Sequence, residues 1–381
     1  MTRRLAIIAV VCSASVFAAS GVSRGGSGSG LVVHEWGTFT SIAGEDGQAV
    51  RWLPQSGPTD LPDFVGRIDC RLKGSLSGTV RMETPVIYFY APHEMTVNVS
   101  VRFRQGVITE WFPRPAGASE GTINDAFRGD IGWTNVKVMP GARAQFPFEA
   151  RPTHYYAARE TDAAPLSVGS EQERFLFYRG VGRLPPPIAA SMTPDGQIVV
   201  SQTRGDPLGD IILFENRDGA MAYRAWHTSA ARIAFNPLDL EGEGASPQAQ
   251  LQEVLVARGL YPREAKAMVE SWRGSWFEQG TRLFYIVSNE AVDAILPLQV
   301  QPRPDQVARV FVGRLEIATP ATLREVKDAL VRNDAAALKR YGRFLQPIGQ
   351  RVLSAFPAGQ RAMMEGRLNS AFPATASRAC R

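Results

Sequence analysis

The chain has 381 residues, of which 44% are hydrophobic and 21% are charged, and its formal net charge is +5. This composition is ordinary for a soluble globular protein with a large core, and no fixed-period repeat or heptad seam indicates a solenoid or a coiled coil. The 35 Gly and 26 Pro residues favour many turns.

The N-terminal 30 residues have the pattern of an export sequence. Arg3 and Arg4 form a positive n-region, and the apolar run LAIIAVVCSASVFAA follows them. Small residues close this run, so residues 1–19 are predicted to be a signal peptide, and residues 20–30 a flexible linker. The run is too short to span a membrane and no later segment is long enough. We therefore expect an exported protein, periplasmic or extracellular, without a transmembrane span.

Residues 31–236 are predicted to form a β-rich body. The stretch TVNVSVRFR (96–104) alternates apolar and polar residues, which is typical of a half-buried antiparallel strand. NRDG at 216–219 and TPDG at 193–196 are turn sequences between strand runs. Many short strands separated by such turns predict an antiparallel sandwich or a distorted barrel.

The pattern changes after residue 236. Residues 237–320 are predicted to be a mixed segment of helices and strands, with Ser246 and Pro247 starting its first helix. Residues 321–381 are predicted to be a basic helical tail, because they hold 11 Lys and Arg against four Asp and Glu. The fold class is therefore predicted to be α+β. Such a tail could dock on the body or meet an anionic envelope polymer, and a solvated helix face is the simpler alternative.

The stretch LVVHEWGTFTS (31–41) places polar residues inside an apolar strand. Alternation puts Glu35 on the more apolar face and places His34 and Trp36 on the other. A carboxylate on an apolar face must find donors, or its pKa rises, which suits a general acid. Glu35 and His34 are therefore candidate catalytic residues, and Trp36 is a candidate ligand-binding residue. The alternative is a structural Glu–Arg pair beside a core tryptophan.

A second acidic residue lies in the strand-like stretch VRMETPVIYFYAPHE (80–94), where Arg81 and Glu83 share one face. Glu35 and Glu83 could form the carboxylate pair of a glycoside hydrolase, in which the separation of the two groups sets the outcome. They could equally belong to one buried ion network with Arg81 and Arg179.

Three further residues are candidate ligand-binding groups. Arg179 lies in the strand-like stretch ERFLFYRGVG (173–182), where a guanidinium could receive an anionic ligand, and Arg81 is grouped with it. Tyr88 could stack on a sugar ring, although aromatic residues more often fill cores.

Cysteines and histidines give a short list of expectations. Once the signal peptide is removed, Cys70 and Cys380 remain, and in an oxidising compartment they are predicted to form a disulfide. Two free thiols are the alternative. The four histidines form no HExxH motif and the cysteines form no CxxC motif, so no metal site is predicted. No nucleotide-binding motif occurs either, and we expect no cofactor and no nucleic-acid partner.

At HEWGTFTS, METPVIYFY, FLFYRGVG and RVFVGRLEI the chain resembles a group of secreted bacterial proteins with no assigned activity. These stretches are spread from residue 34 to residue 317. The resemblance implies no fold, substrate or catalytic residue, so function is argued from the residues themselves.

We expect an exported, non-catalytic protein that binds a polar or carbohydrate ligand at the cell envelope. The signal peptide and the β-rich body favour this function, and no recognised catalytic motif opposes it. A glycoside-type hydrolase that uses Glu35 and Glu83 is one alternative. A structural envelope protein whose basic tail contacts an anionic polymer is the other.

Overall fold

A computed structural model describes residues 28–55, 60–68, 75–116, 129–150, 153–204, 206–236 and 246–371. The predicted signal peptide at 1–19, the linker up to residue 27, and both Cys70 and Cys380 lie outside these residues. None of the described helices is long and apolar enough to cross a membrane.

The described residues form seventeen strands, numbered here in chain order. They are β1 (Val32–Ala43), β2 (Gly66–Arg67), β3 (Val80–Tyr90), β4 (Met95–Arg102), β5 (Gly106–Phe112), β6 (Asp130–Val138), β7 (Leu166–Val168), β8 (Glu171–Glu173), β9 (Leu176–Gly182), β10 (Ile188–Met192), β11 (Ile198–Gln202), β12 (Gly209–Arg217), β13 (Ala220–Thr228), β14 (Arg232–Phe235), β15 (Gly280–Val287), β16 (Leu298–Gln301) and β17 (Gln306–Ile317). The NRDG turn joins β12 to β13 as predicted.

Helices dominate the described chain after residue 246. They are α1 (Pro247–Ala257), α2 (Pro262–Trp276), α3 (Asn289–Ile295), α4 (Pro320–Arg332), α5 (Ala335–Lys339), α6 (Leu345–Ser354) and α7 (Ala358–Ala371). Short 3₁₀ helices cover Tyr155–Arg159 and Gly342–Phe344. The predicted start of α1 is confirmed, since the Ser246 hydroxyl accepts a hydrogen bond from the backbone N–H of Ala249 at 3.2 Å.

Nine strands form a central sheet in the order β13-β12-β15-β17-β1-β3-β9-β5-β2. Neighbours in it are antiparallel except β1 and β17, which run parallel. The stretches HEWGTFTS, METPVIYFY, FLFYRGVG and RVFVGRLEI lie in β1, β3, β9 and β17, which are four neighbouring strands. The sheet takes strands from both sides of residues 237–245, so the predicted β-rich body and mixed segment share it.

The central sheet is covered on both faces. On one face it shares a buried core with a five-stranded sheet, β16-β4-β6-β7-β8, and a three-stranded sheet, β10-β11-β14. On the other, called here the helix face, α1 and α2 cover one half and the helices from α4 to α7 cover the other. The α+β class is confirmed. The sheets stack as in a sandwich, and the described strands do not close into a barrel.

Candidate functional site

Strand β1 divides its side chains between two separate cores. Phe39 packs between the stacked sheets, whereas Trp36 packs beneath α1 and α2 on the helix face. Glu35 lies on the same face as Phe39, because it is opposite Ile87 of β3, which belongs to the core between the sheets. His34 lies on the helix face beside Trp36. The alternation predicted for this stretch is therefore confirmed.

The two carboxylates predicted as a catalytic pair lie on opposite faces of the central sheet. Glu35 faces the stacked sheets, while Glu83 lies opposite Thr38 on the helix face and contacts Arg343 from the C-terminal helices. A glycosidase needs both carboxyl groups at one glycosidic bond. The pairing of Glu35 with Glu83 is therefore corrected: Glu83 belongs to a different set of charged groups.

Glu35 is held in a fully buried polar network. Its Oε1 accepts a hydrogen bond from the Tyr178 hydroxyl at 2.5 Å, and its Oε2 accepts one from Arg309 Nε at 2.7 Å. Arg309 also donates to the Leu296 carbonyl and pairs with Asp293. Both carboxylate oxygens thus have donors, as in the structural Glu–Arg pair foreseen for this position.

His34 is buried in a second polar cluster on the helix face. Its Nδ1 lies 2.8 Å from Glu264 Oε2, and the Tyr90 hydroxyl donates to the other oxygen of Glu264 at 2.8 Å. The backbone N–H of Tyr261 donates to Glu264 Oε2 as well, which completes a capping interaction at the start of α2. His34 therefore fastens α2 to β1, away from both Glu35 and Glu83.

Two of the predicted ligand-binding residues, Trp36 and Tyr88, have no exposed surface. Their rings lie 6.2 Å apart between centroids, and the Tyr88 hydroxyl donates to the Ala158 carbonyl at 2.7 Å. Both side chains fill the core under α1 and α2. In this position neither presents a face on which a sugar could stack.

The other two predicted ligand-binding residues, Arg81 and Arg179, lie together on the helix face. Both approach Asp60: Arg179 donates to it at 2.8 and 3.2 Å, and Arg81 Nη2 lies 3.6 Å from it. We call the four guanidinium groups of Arg81, Arg179, Arg314 and Arg343 the arginine layer. Three of the predicted site residues, Arg81, Glu83 and Arg179, therefore lie close together at this layer.

Two threonines of β1, Thr38 and Thr40, form the base of the arginine layer, called here its floor. Thr40 of β1 lies directly between Arg314 of β17 and Arg81 of β3. Thr38 lies opposite Glu83 in the same way. Residues opposite each other in a sheet point to the same face, so the Thr40 hydroxyl lies between two arginines and the Thr38 hydroxyl lies beside Glu83. Neither hydroxyl has a hydrogen-bond partner among the described residues.

Glu83 is the central carboxylate of the arginine layer. Its Oε1 lies 3.2 Å from Arg81 Nε and also contacts Arg343 Nη1, which comes from the 3₁₀ helix at Gly342–Phe344. Its Oε2 is buried and accepts no hydrogen bond from any described residue. One oxygen of Glu83 is therefore shared by two arginines, while the other is left with spare acceptor capacity.

Arg314 differs from the other arginines of the layer. It is fully buried, yet none of its three guanidinium nitrogens donates a hydrogen bond to a described residue. Its Nη2 lies 3.6 Å from Glu278, and its guanidinium stacks on Phe344 at 4.6 Å. Neighbouring Arg282 stacks on the same ring but uses its guanidinium fully, donating to Glu316 and to two backbone carbonyls.

The positive charges of Arg314 and Arg81 are incompletely compensated. Burial lowers the pKa of Arg314 to about 9, and Arg282 and Arg343 add to the shift against the opposing effect of Glu83 and Glu278. Burial likewise lowers the pKa of Arg81 to about 10. Arginine stays protonated in proteins, so these shifts appear as a cost to the folding free energy.

The arginine layer reaches solvent at its edges. The side chains of Asp60 and Glu278 are 30% and 19% exposed. A groove of about 660 Å³ between β1 and α6 also lies close by, and Trp52 lines it. Trp52 stacks on Phe344 at 6.2 Å between ring centroids, and Phe344 covers Arg314. One aromatic pair thus separates the groove from the least satisfied arginine.

Replacing Glu83 by glutamine should lower the free energy of unfolding by about 3–5 kcal/mol at neutral pH, because Arg81 and Arg343 lose their central counter-charge. Burial raises the pKa of Glu83, but Arg343, Arg81 and Arg314 outweigh it, so the pKa lies below its ordinary value of 4.5. A carboxyl with a lowered pKa stabilises the fold above its unfolded pKa and loses that contribution as the pH falls towards its folded pKa.

The difference in unfolding free energy between the parent and Glu83→Gln should therefore shrink as the pH falls below 4.5. Urea unfolding of both proteins from about pH 7 to about pH 3 measures it, and the subtraction removes the contributions of other carboxylates. A difference that does not change with pH would contradict the role given to Glu83.

Comparison with known proteins identifies no relative. No family model and no curated protein matches the chain. Among solved structures, the yeast delta-COP-I mu-homology domain complexed with Dsl1 WxWxV peptide is 8% identical with a TM-score of 0.27, covering 76% of this chain and 96% of that one. The same yeast domain without the peptide is 9% identical with a TM-score of 0.25, covering 76% and 95%. Similarities this low carry no argument about function.

Sequence reasoning missed two arginines of the layer and the two threonines beside it. Arg314 lies in the apolar stretch RVFVGRLEI, so the rule that singled out Arg81 in its strand would also have found it. Thr38 and Thr40 are ordinary strand residues and carry no signal. Arg343 precedes a helix in a basic region and looks like a solvated residue until the C-terminal helices are placed on the sheet.

Proposed function

We propose that this chain is an exported, non-catalytic protein that binds an anionic polar ligand at the cell envelope. The arginine layer would hold the charged group of that ligand. An acidic carbohydrate meets this description, and so does a small oxyanion. Export rests on residues 1–19, as argued from the sequence.

One observation carries the proposal: Arg314 is fully buried, and its guanidinium donates no hydrogen bond to a described residue. A buried charge without hydrogen bonds costs the fold several kcal/mol. Proteins retain such groups chiefly where function uses them. A carboxylate, phosphate or sulfate group matches the fork of guanidinium donors, which favours an anionic ligand over a neutral one.

A purely structural ion network is the competing explanation, and it accounts for only part of the layer. Arg343 and Glu83 fasten the C-terminal helices to the sheet, and Arg179 and Asp60 fasten residue 60 to β9. Arg314 holds few elements together, because its one described ion-pair distance is 3.6 Å and its guanidinium stacks on Phe344 without donating a described hydrogen bond. Arg282, by contrast, is held to the fold through all three of its guanidinium nitrogens.

The proposal is tested by thermal unfolding of the full chain with sulfate, phosphate, citrate or glucuronate, each compared with sodium chloride at equal ionic strength. At least one anion should raise Tm, since a ligand at 100 times its Kd adds about 2.7 kcal/mol of stability. The shift should vanish in Arg314→Met. It should persist in Arg102→Met, which removes an arginine that is 67% exposed.

Two outcomes would overturn the proposal. In the first, no anion raises Tm beyond the effect of sodium chloride, and the layer is then a structural network. In the second, Arg314→Met keeps the full shift, and the anion then binds elsewhere.

A further inference from the structure

We infer that the ligand group bound by the arginine layer is a tetrahedral phosphate that carries a proton, in preference to a sulfate or a carboxylate. This inference rests on the proposed function and names the chemistry of its ligand. Two features carry it: donors that converge from several directions, and one buried acceptor among them.

The donors of the layer come from three sides. Arg314 on β17 and Arg81 on β3 flank Thr40 of β1, whose hydroxyl lies on the floor beside that of Thr38. Arg343 approaches from the 3₁₀ helix on top, where its Nη1 contacts Glu83. A carboxylate has two oxygens in one plane, with about four acceptor positions. The four oxygens of a phosphate point to the corners of a tetrahedron, so they can accept hydrogen bonds from the threonines, from the arginines on either side and from Arg343.

Donor number also favours a phosphate group. The three nitrogens of Arg314, the Nε atom of Arg343, and the hydroxyls of Thr38 and Thr40 all lack hydrogen bonds among the described residues. These donors outnumber the acceptor positions of a carboxylate. A phosphate carries about −1.5 to −2 charges and strong acceptor oxygens, so it compensates more of the buried guanidinium charge.

Glu83 then separates phosphate from sulfate. Its Oε2 is fully buried within the layer and accepts no hydrogen bond from a described residue. A carboxylate oxygen in this position repels an anion that has only hydrogen-bond acceptors. It can accept a hydrogen bond from an anion that has an O–H donor. Phosphate keeps a proton at neutral pH and can donate it to Glu83. Sulfate has none, so it would leave two acceptors in contact.

Inorganic phosphate and a phosphate monoester share this chemistry, and pH distinguishes them. A monoester loses its last proton near pH 6, whereas inorganic phosphate still carries one at about pH 8. If the site takes free phosphate, binding should hold at pH 8. If it takes an ester, glycerol phosphate should bind at about pH 5.5 and weaken strongly by pH 8.

The test is calorimetric titration of the full chain with phosphate, sulfate, glycerol phosphate and citrate at equal ionic strength. Phosphate, or glycerol phosphate at the lower pH, should bind at least about tenfold more tightly than sulfate, because a site built for a donor rejects the analogue without one. Glu83→Gln should narrow or reverse that preference, since an amide can donate to sulfate. Arg102→Met should leave it unchanged.

Glu83→Gln is expected to be less stable, so Thr40→Val provides a second variant that keeps every charge. It removes one floor hydroxyl and should weaken phosphate binding severalfold. Tighter binding of sulfate or citrate than of phosphate by the parent would overturn the inference while leaving the proposed function standing. Binding of none of the four anions would overturn both, and an unchanged phosphate preference in Glu83→Gln would overturn the role of its carboxylate.

Discussion

Replacing Glu35 by glutamine should lower the free energy of unfolding by about 3–5 kcal/mol, which is a large part of the stability of an ordinary domain. Glu35 is fully buried. Its carboxylate accepts hydrogen bonds from the Tyr178 hydroxyl and from Arg309 Nε, and it lies 2.6 Å from Arg309 Nη2. The amide keeps the shape but removes the negative charge, so Arg309 is left without its central partner. Urea or guanidinium unfolding at neutral pH measures the loss.

A matched control is Glu45→Gln, which removes a carboxylate of another Glu–Arg pair. Glu45 is 78% exposed and pairs with Arg351, so its replacement should change stability by less than about 1 kcal/mol. A double variant, Glu35→Gln with Arg309→Met, should recover part of the loss, because it removes both charges together. If Glu35→Gln were as stable as the parent or more so, Glu35 would be held at a cost and would become a candidate functional residue again.

Much of the fold could be predicted from the sequence because local rules govern it. The alternating stretch around Val97 forms β4 with the predicted wet face, and NRDG forms the predicted hairpin turn. Among the described residues, the long helices follow the change of period after residue 236. These features depend on neighbours within a few residues, which a single sequence displays directly.

The candidate site was only partly predictable, because it is assembled from distant parts of the chain. Alternation predicted that Glu35 would face an apolar core and need a donor, but Arg309 lies 274 residues away. Arg343 lies 260 residues from Glu83 and reaches it only when the C-terminal helices pack on the sheet. Strand order decides which charges meet, and period-two patterns carry no information about strand order.

The same limit explains the error over Glu35 and Glu83. Each residue was recognised correctly as an acidic group in an apolar strand, and Arg81 and Arg179 were recognised as its possible partners. The pairing of β1 with β3 brings Glu83 opposite Thr38, across a register shift next to Gly37. Glu83 therefore lies on the helix face with Arg81 and Arg179, while Glu35 lies on the other face. One face assignment depends on a bulge that no local pattern reveals.

The second large effect is a contrast between two arginines that look alike. Arg282 and Arg314 are both fully buried. They lie on the neighbouring strands β15 and β17, point to the helix face, and stack on Phe344. Arg282→Met should lower the free energy of unfolding by about 3–5 kcal/mol, because Glu316 and two backbone carbonyls lose their donor. Burial already raises the pKa of Glu316, so its charge is poorly tolerated without Arg282.

Arg314→Met should instead leave the free energy of unfolding within about 1 kcal/mol of the parent or raise it. The substitution removes a buried charge that donates no hydrogen bond among the described residues, and methionine fills much of the same space with apolar atoms. Glu278 Oε2 loses an ion-pair partner at 3.6 Å, but that contact is longer than a hydrogen bond, so its loss costs little. Guanidinium unfolding of both variants without added phosphate or sulfate measures the contrast.

Equal losses of unfolding free energy in the two variants would mean that Arg314 supports the fold as Arg282 does, and the argument for a ligand site would lose its main support. A loss confined to Arg282→Met would show that the fold does not need Arg314, which leaves ligand binding as the reason for burying it.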